Sequence, residues 1–122
     1  MAVRTPRVPL TDMRDAIRRI ERYTRAQTAA SFAKNELVRD AVERCIEIIS
    51  EASRRVPADL KSLHPEIPWG KIAAIGNVFR HDYDEVYSPL VWEIVTDHLP
   101  ALQRAVNDLL RRSRRKRRAS RT

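Results

Sequence analysis

The sequence predicts an all-α protein, an antiparallel bundle of four to five helices. Three observations carry this. Apolar residues recur at spacings of three and four over most of the chain, the period of a helix face. No stretch alternates apolar and polar residues as a half-buried strand does. Only 2 glycines occur in 122 residues, which suits long helices better than a turn-rich β-fold. With 43% apolar residues the chain can build a core, and its length suits one domain.

The elements follow in order. Residues 1–10, with Pro6 and Pro9, read as an extended N-terminal arm. Thr11 or Asp12 can cap a first helix over about 11–26, whose apolar stripe is Leu10, Met13, Ile17, Ile20 and Thr24. Thr28 and Ser31 offer the next cap. A second helix, about 31–55, carries Leu37, Val38, Ala41, Val42, Cys45, Ile48, Ile49 and Ala52 as a wide apolar stripe. Pro57, Pro65 and Pro68 make a connector, and Trp69 opens a third helix to about 83. Ser88 and Pro89 form a cap and first-turn pair. The helix they start runs to about 112, and Pro100 must kink or split it. Residues 11–110 are thus the helical domain. Leu37, Val38, Val42, Cys45, Ile48, Ile49, Ile72, Ile75, Phe79, Leu90, Ile94, Leu102 and Val106 are the expected core.

The net charge of +8 is local. Residues 111–122 hold 8 of the 24 basic residues and no acid, leaving 16 bases against 16 acids in residues 1–110. Arg111, Arg112, Arg114, Arg115, Lys116, Arg117 and Arg118 therefore form a basic tail, expected to be disordered and attracted to the RNA backbone. No apolar run approaches the 18 or so residues of a membrane span, and no membrane partner is expected. The N-terminus shows no secretory apolar region. A single cysteine, Cys45, excludes an internal disulfide and fits a reducing, cytoplasmic location. His64 and His98 make no Glu-x-x-His pair, so no metal site and no cofactor is expected. Glycine-rich phosphate loops and serine-nucleophile motifs are also lacking.

Chemistry-bearing side chains concentrate in residues 69–87, WGKIAAIGNVFRHDYDEVY. At about 100° per residue, Ile72, Ile75, Phe79 and Val86 share a core face. Gly76 and Arg80 share a second stripe, and Asn77, His81 and Asp84 a third. Tyr83 sits at the border. Spacing alone also fits an ordinary solvated helix face.

Three segments raise the odds of a site. VRDAVERCIEIISEASRRVP, HPEIPWGKIAAIGNVFRHDYDEV and VWEIVTDHLPAL resemble, in order and spacing, successive parts of the HepT-like family of HEPN-domain ribonuclease toxins. Together they cover most of residues 10–110. The resemblance implies a HEPN-like bundle that homodimerises and cleaves RNA without a metal. It further implies a type VII toxin–antitoxin system, in which a minimal nucleotidyltransferase antitoxin silences the toxin by adenylylating a tyrosine. The family signature is Arg, four residues, His, one residue, Tyr, usually with Asn after the Arg. His81, Tyr83 and Asn77 match it, which makes His81 and Asn77 candidate catalytic residues and Tyr83 the candidate modified residue. Gly76 stands where the Arg belongs. Either Gly76 serves a close approach to the backbone or the site has decayed.

Arg80 is the candidate replacement. It lies one turn beyond Gly76, and helical side chains lean toward the N-terminus. The expected function is that of a toxin subunit with endoribonuclease activity. The alternatives are a catalytically weak HEPN-like regulatory subunit and a non-enzymatic nucleic-acid-binding bundle.

Overall fold

The computed structural model describes residues 5–81 and 88–119, with the side chains of residues 79–81 and 115–119 outside the description. The fold is an all-α bundle. Helices α1 (Arg7–Thr24), α2 (Ala29–Lys34), α3 (Glu36–Arg54), the short α4 (Ala58–Lys61) and α5 (Trp69–His81) come first. After them come α6 (Ser88–Glu93), a π-helical segment (Ile94–His98) and α7 (Leu99–Ala119). Among the described residues no strand forms, and no helix is long and apolar enough to cross a membrane.

Helix α1 buries the predicted stripe Leu10, Met13, Ile17, Ile20 and Thr24. It starts at Arg7 with Pro6 at its cap, earlier than Thr11 or Asp12 would place it. Pro9 sits in the first turn, where a missing N–H removes no helical bond, and it is buried there. The arm is therefore partly helix. Helix α1 packs antiparallel on α3, and Arg55 just beyond α3 meets Asp12 near the start of α1 at 3.5 Å.

The single helix expected over 31–55 is two helices. Thr28 and Ser31 form a capping box that starts α2, with bonds of 3.1 and 2.9 Å. Asn35 then ends α2 and caps α3, its side chain accepting from the Val38 amide at 3.1 Å. Short polar side chains compete with the helix ladder in this way. Arg39 reinforces the break by donating to the Phe32 and Ala33 carbonyls. The break leaves Leu37, an expected core residue, 80% exposed, while Phe32 is fully buried and its ring lies 5.1 Å from that of Trp92.

Val42, Cys45, Ile49, Leu102 and Val106 are buried as expected, joined by Ile46, Val91 and Leu109. Leu90, also expected in the core, is exposed. Val38, Ile48, Ile72, Ile75 and Ile94 are only partly buried. The last three, with Ile46 and Ile49, line an apolar cleft of about 360 Å³ between α3, α5 and the α6–α7 arm.

Pro100 interrupts the last arm as the sequence required. The interruption is the π-helical segment, closed by the Leu99 amide bonding to the Ile94 carbonyl five residues back. Proline cannot donate and its ring crowds the carbonyl four residues earlier, and a wider turn relieves both. Helix α7 continues into the basic run as far as Ala119. Arginine and lysine are good helix formers, and the run extends a helix already anchored by buried Leu109 and Leu110. Arg112 and Arg111 also pair with Asp108 at 2.8 and 3.6 Å.

Candidate active site on helix α5

The site helix is held at both ends of its first two turns. Trp69 opens α5, and its indole N–H donates to the Lys61 and His64 carbonyls of the connector, both at 3.1 Å. One turn on, the helix is seated on α3. The Ser50 hydroxyl donates to the Ala73 carbonyl at 3.0 Å and accepts from the Gly76 amide at 3.1 Å. Arg54 donates to the same Ala73 carbonyl through Nε at 3.1 Å and Nη2 at 2.7 Å. Ser50 is 1% exposed.

This seating fixes which stripe faces inward. Gly76 is buried against α3, whereas Asn77 and Val78 are exposed. Gly76 meets α3 through its backbone amide, at the Ser50 hydroxyl. The backbone of α5 stays helical through His81. By register, at about 100° per residue, Arg80 stands about 40° from Gly76 toward the Asn77 side and His81 about 40° beyond Asn77, each one turn further on. The side chains of Arg80 and His81 lie outside the described set, as does all of Tyr83.

The basic candidates lie on a different element. Arg111, Arg112 and Arg114 are exposed or partly paired on α7, and Arg115, Lys116, Arg117 and Arg118 continue that helix. Among the described residues no group of three or more His, Cys, Asp or Glu side chains could hold a metal ion. Trp69 is taken up by the connector and Trp92 by Phe32, as packing aromatics.

The ribonuclease HepT-like profile matches residues 13–109. The chain belongs to the ribonuclease HepT-like family. A Thermococcus cleftensis relative named "Probable ribonuclease HepT" is 38% identical over 94 residues, covering 77% of this chain and 86% of its own. A Methanocaldococcus jannaschii relative named "Putative RNase MJ1380" is 29% identical over 106 residues, covering 87% and 97%. A Caldanaerobacter subterraneus relative named "Putative RNase TTE0752" is 29% identical over 83 residues, covering 68% and 74%. No solved structure gives a significant match.

Two features of this HepT-like chain escaped the sequence reading. One is the Ser50–Arg54 seat under α5. Its only signal was a serine among the apolar positions of the second stripe. The other is the His64 cluster, whose partner Asp108 lies 44 positions away and leaves no local pattern.

Proposed function

We propose that this HepT-like protein is the toxin subunit of a toxin–antitoxin system and an endoribonuclease whose site is carried by Arg80, His81 and Asn77. The observation that supports this best is the setting of α5. Gly76 turns into α3 and Asn77 turns out to solvent, so the stripe on which His81 follows Asn77 is the outward one. The Gly76 amide also bonds to the Ser50 hydroxyl, which ties the signature segment to α3.

In the proposed reaction a neutral imidazole takes the proton of the RNA 2′-hydroxyl. The 2′-oxygen attacks the adjacent phosphorus and the bond to the 5′-oxygen breaks. A cyclic 2′,3′-phosphate forms, and the leaving 5′-oxygen takes a proton from a second acid. A homodimer supplies that acid as a second copy of His81. Exposed Val78 and Leu90 give this region apolar surface of the kind that dimers bury. The Arg80 guanidinium holds the phosphate and offsets its developing charge. The attacking oxygen belongs to the substrate, so the scheme uses no metal-bound water.

Tyr83 is the proposed site of adenylylation by a minimal nucleotidyltransferase antitoxin. Arg111, Arg112, Arg114, Arg115, Lys116, Arg117 and Arg118 are proposed to track the RNA backbone, and the setting is cytoplasmic. The deciding experiment compares wild-type and His81→Ala protein on RNA, with a loss of about 100-fold or more expected. A second reading, a non-cleaving regulatory subunit, is favoured by Gly76 at the family's arginine position. Wild-type protein that leaves RNA intact would select it.

A further inference from the structure

We propose that Ser50 is the positioning residue of this site, its buried hydroxyl setting the rotation of α5 about its own axis. The proposal rests on the reading that α5 carries the catalytic groups. A hydroxyl buried in a helix interface must find partners. Ser50 finds two, and both belong to the backbone of α5, the Ala73 carbonyl at 3.0 Å and the Gly76 amide at 3.1 Å. Arg54 adds two bonds to the same Ala73 carbonyl but none to Gly76, and the remaining neighbours here, Ile46, Ile49, Ile72 and Ile75, are aliphatic. Aliphatic contacts tolerate small rolls and slides. Hydrogen bonds are directional and do not. Two bonds to atoms three residues apart therefore fix the roll of α5 where the aliphatic contacts leave it loose. Ser53 steadies the seat from below, its hydroxyl donating to the Ser50 carbonyl at 2.6 Å.

The lever is short and the effect large. Side chains stand roughly 5–6 Å from a helix axis, so a roll of about 10° displaces them by about 1 Å. Misplacement of a catalytic group by about 1 Å can cost on the order of 100-fold in rate. Stability depends on Ser50 much less. Without its hydroxyl the Ala73 carbonyl keeps both Arg54 bonds, so that acceptor is not orphaned. Loss of the hydroxyl should thus move catalysis more than folding.

The experiment uses the full chain as wild type, Ser50→Ala and Ser50→Thr. Two readouts run in parallel, steady-state RNA cleavage and amide hydrogen exchange across α5. For Ser50→Ala we expect kcat to fall about 10- to 100-fold with KM changed less than about threefold. The melting temperature should drop by only about 3–5 °C. The amides of Gly76 and Asn77 should exchange about 10-fold faster while those of α1 hold their wild-type protection. Ser50→Thr keeps the hydroxyl and should recover most of kcat. Unchanged kcat in Ser50→Ala overturns the proposal, as does Ser50→Thr that folds yet is as slow as Ser50→Ala. If wild-type protein cleaves no RNA, the enzyme reading fails and the exchange data decide alone. Faster exchange confined to α5 then supports Ser50 as the residue that positions this helix. Unchanged exchange overturns it.

Discussion

The His64 imidazole Nε2 lies 2.8 Å from Asp108 Oδ2, which fastens the connector before α5 to α7 just ahead of the basic run. Its Nδ1 faces Glu66 Oε1 at 3.0 Å, while Arg112 and Arg111 approach Asp108 from its own helix. Burial pushes the His64 pKa down, but the bonds to Asp108 and Glu66 outweigh it and hold the imidazolium above the ordinary histidine range. Asp108 is held below the usual aspartate range, first by Arg112 and then by His64.

A raised histidine pKa contributes stability that is complete below the unfolded value and disappears as pH rises through the folded one. A depressed aspartate pKa contributes above its unfolded value and is lost in acid. The His64–Asp108 pair is therefore strongest between the ordinary aspartate and histidine values, about 3.9 and 6.5. We expect His64→Gln to destabilise the fold by about 0.5–1 kcal/mol at pH 6, with the penalty shrinking toward zero in alkali. Urea unfolding at both pH values checks this, and an equal penalty at each would assign the effect to packing.

Gly76→Arg restores the family signature in sequence but not in space. Residue 76 is buried, with its amide 3.1 Å from Ser50. An arginine there must enter the α3–α5 interface, and overpacking of this kind costs about 1–3 kcal/mol. The variant should melt several degrees lower and gain no cleavage. A gain in activity at unchanged melting temperature would show that α5 can roll to release this position.

Truncation after Arg112 keeps the bonds to Asp108 and removes Arg114, Arg115, Lys116, Arg117 and Arg118. RNA affinity should fall evenly across sequences. The slope of log affinity against log salt should shrink by about 0.7 for each single-strand phosphate left without its basic partner. A titration series in increasing salt reads this directly, and an unchanged slope removes the basic run from RNA binding.

Tyr83→Phe removes the only atom of that side chain able to carry a transferred nucleotide. Cleavage should persist, and incorporation of labelled adenylate by a nucleotidyltransferase partner should vanish. Labelling that survives the substitution would move the modified residue elsewhere.

The helical class was legible because its signal is periodic and local. Leu10, Met13, Ile17, Ile20 and Thr24 could be read as one stripe, and all five are buried. The interruption before Pro100 was legible from proline chemistry alone, although its π-helical form was not. Leu37 shows where such reading fails. Its spacing fits the stripe, but Asn35 ends one helix and starts another, so the face is re-phased and Leu37 meets solvent. The motif residues Asn77 and His81 were visible as a pattern. What seats their helix was not, because Ser50 meets Ala73 and Gly76 across 23 and 26 positions of chain.

Cys45 gives the molecule a built-in clock for its own opening. It is the chain's one cysteine and is fully enclosed, and burial raises its thiol pKa so that the reactive thiolate is scarce. A thiol-reactive dye can then label only molecules whose core has come apart around α3. The labelling rate in native buffer measures how often that happens, with no engineered probe to disturb the bundle.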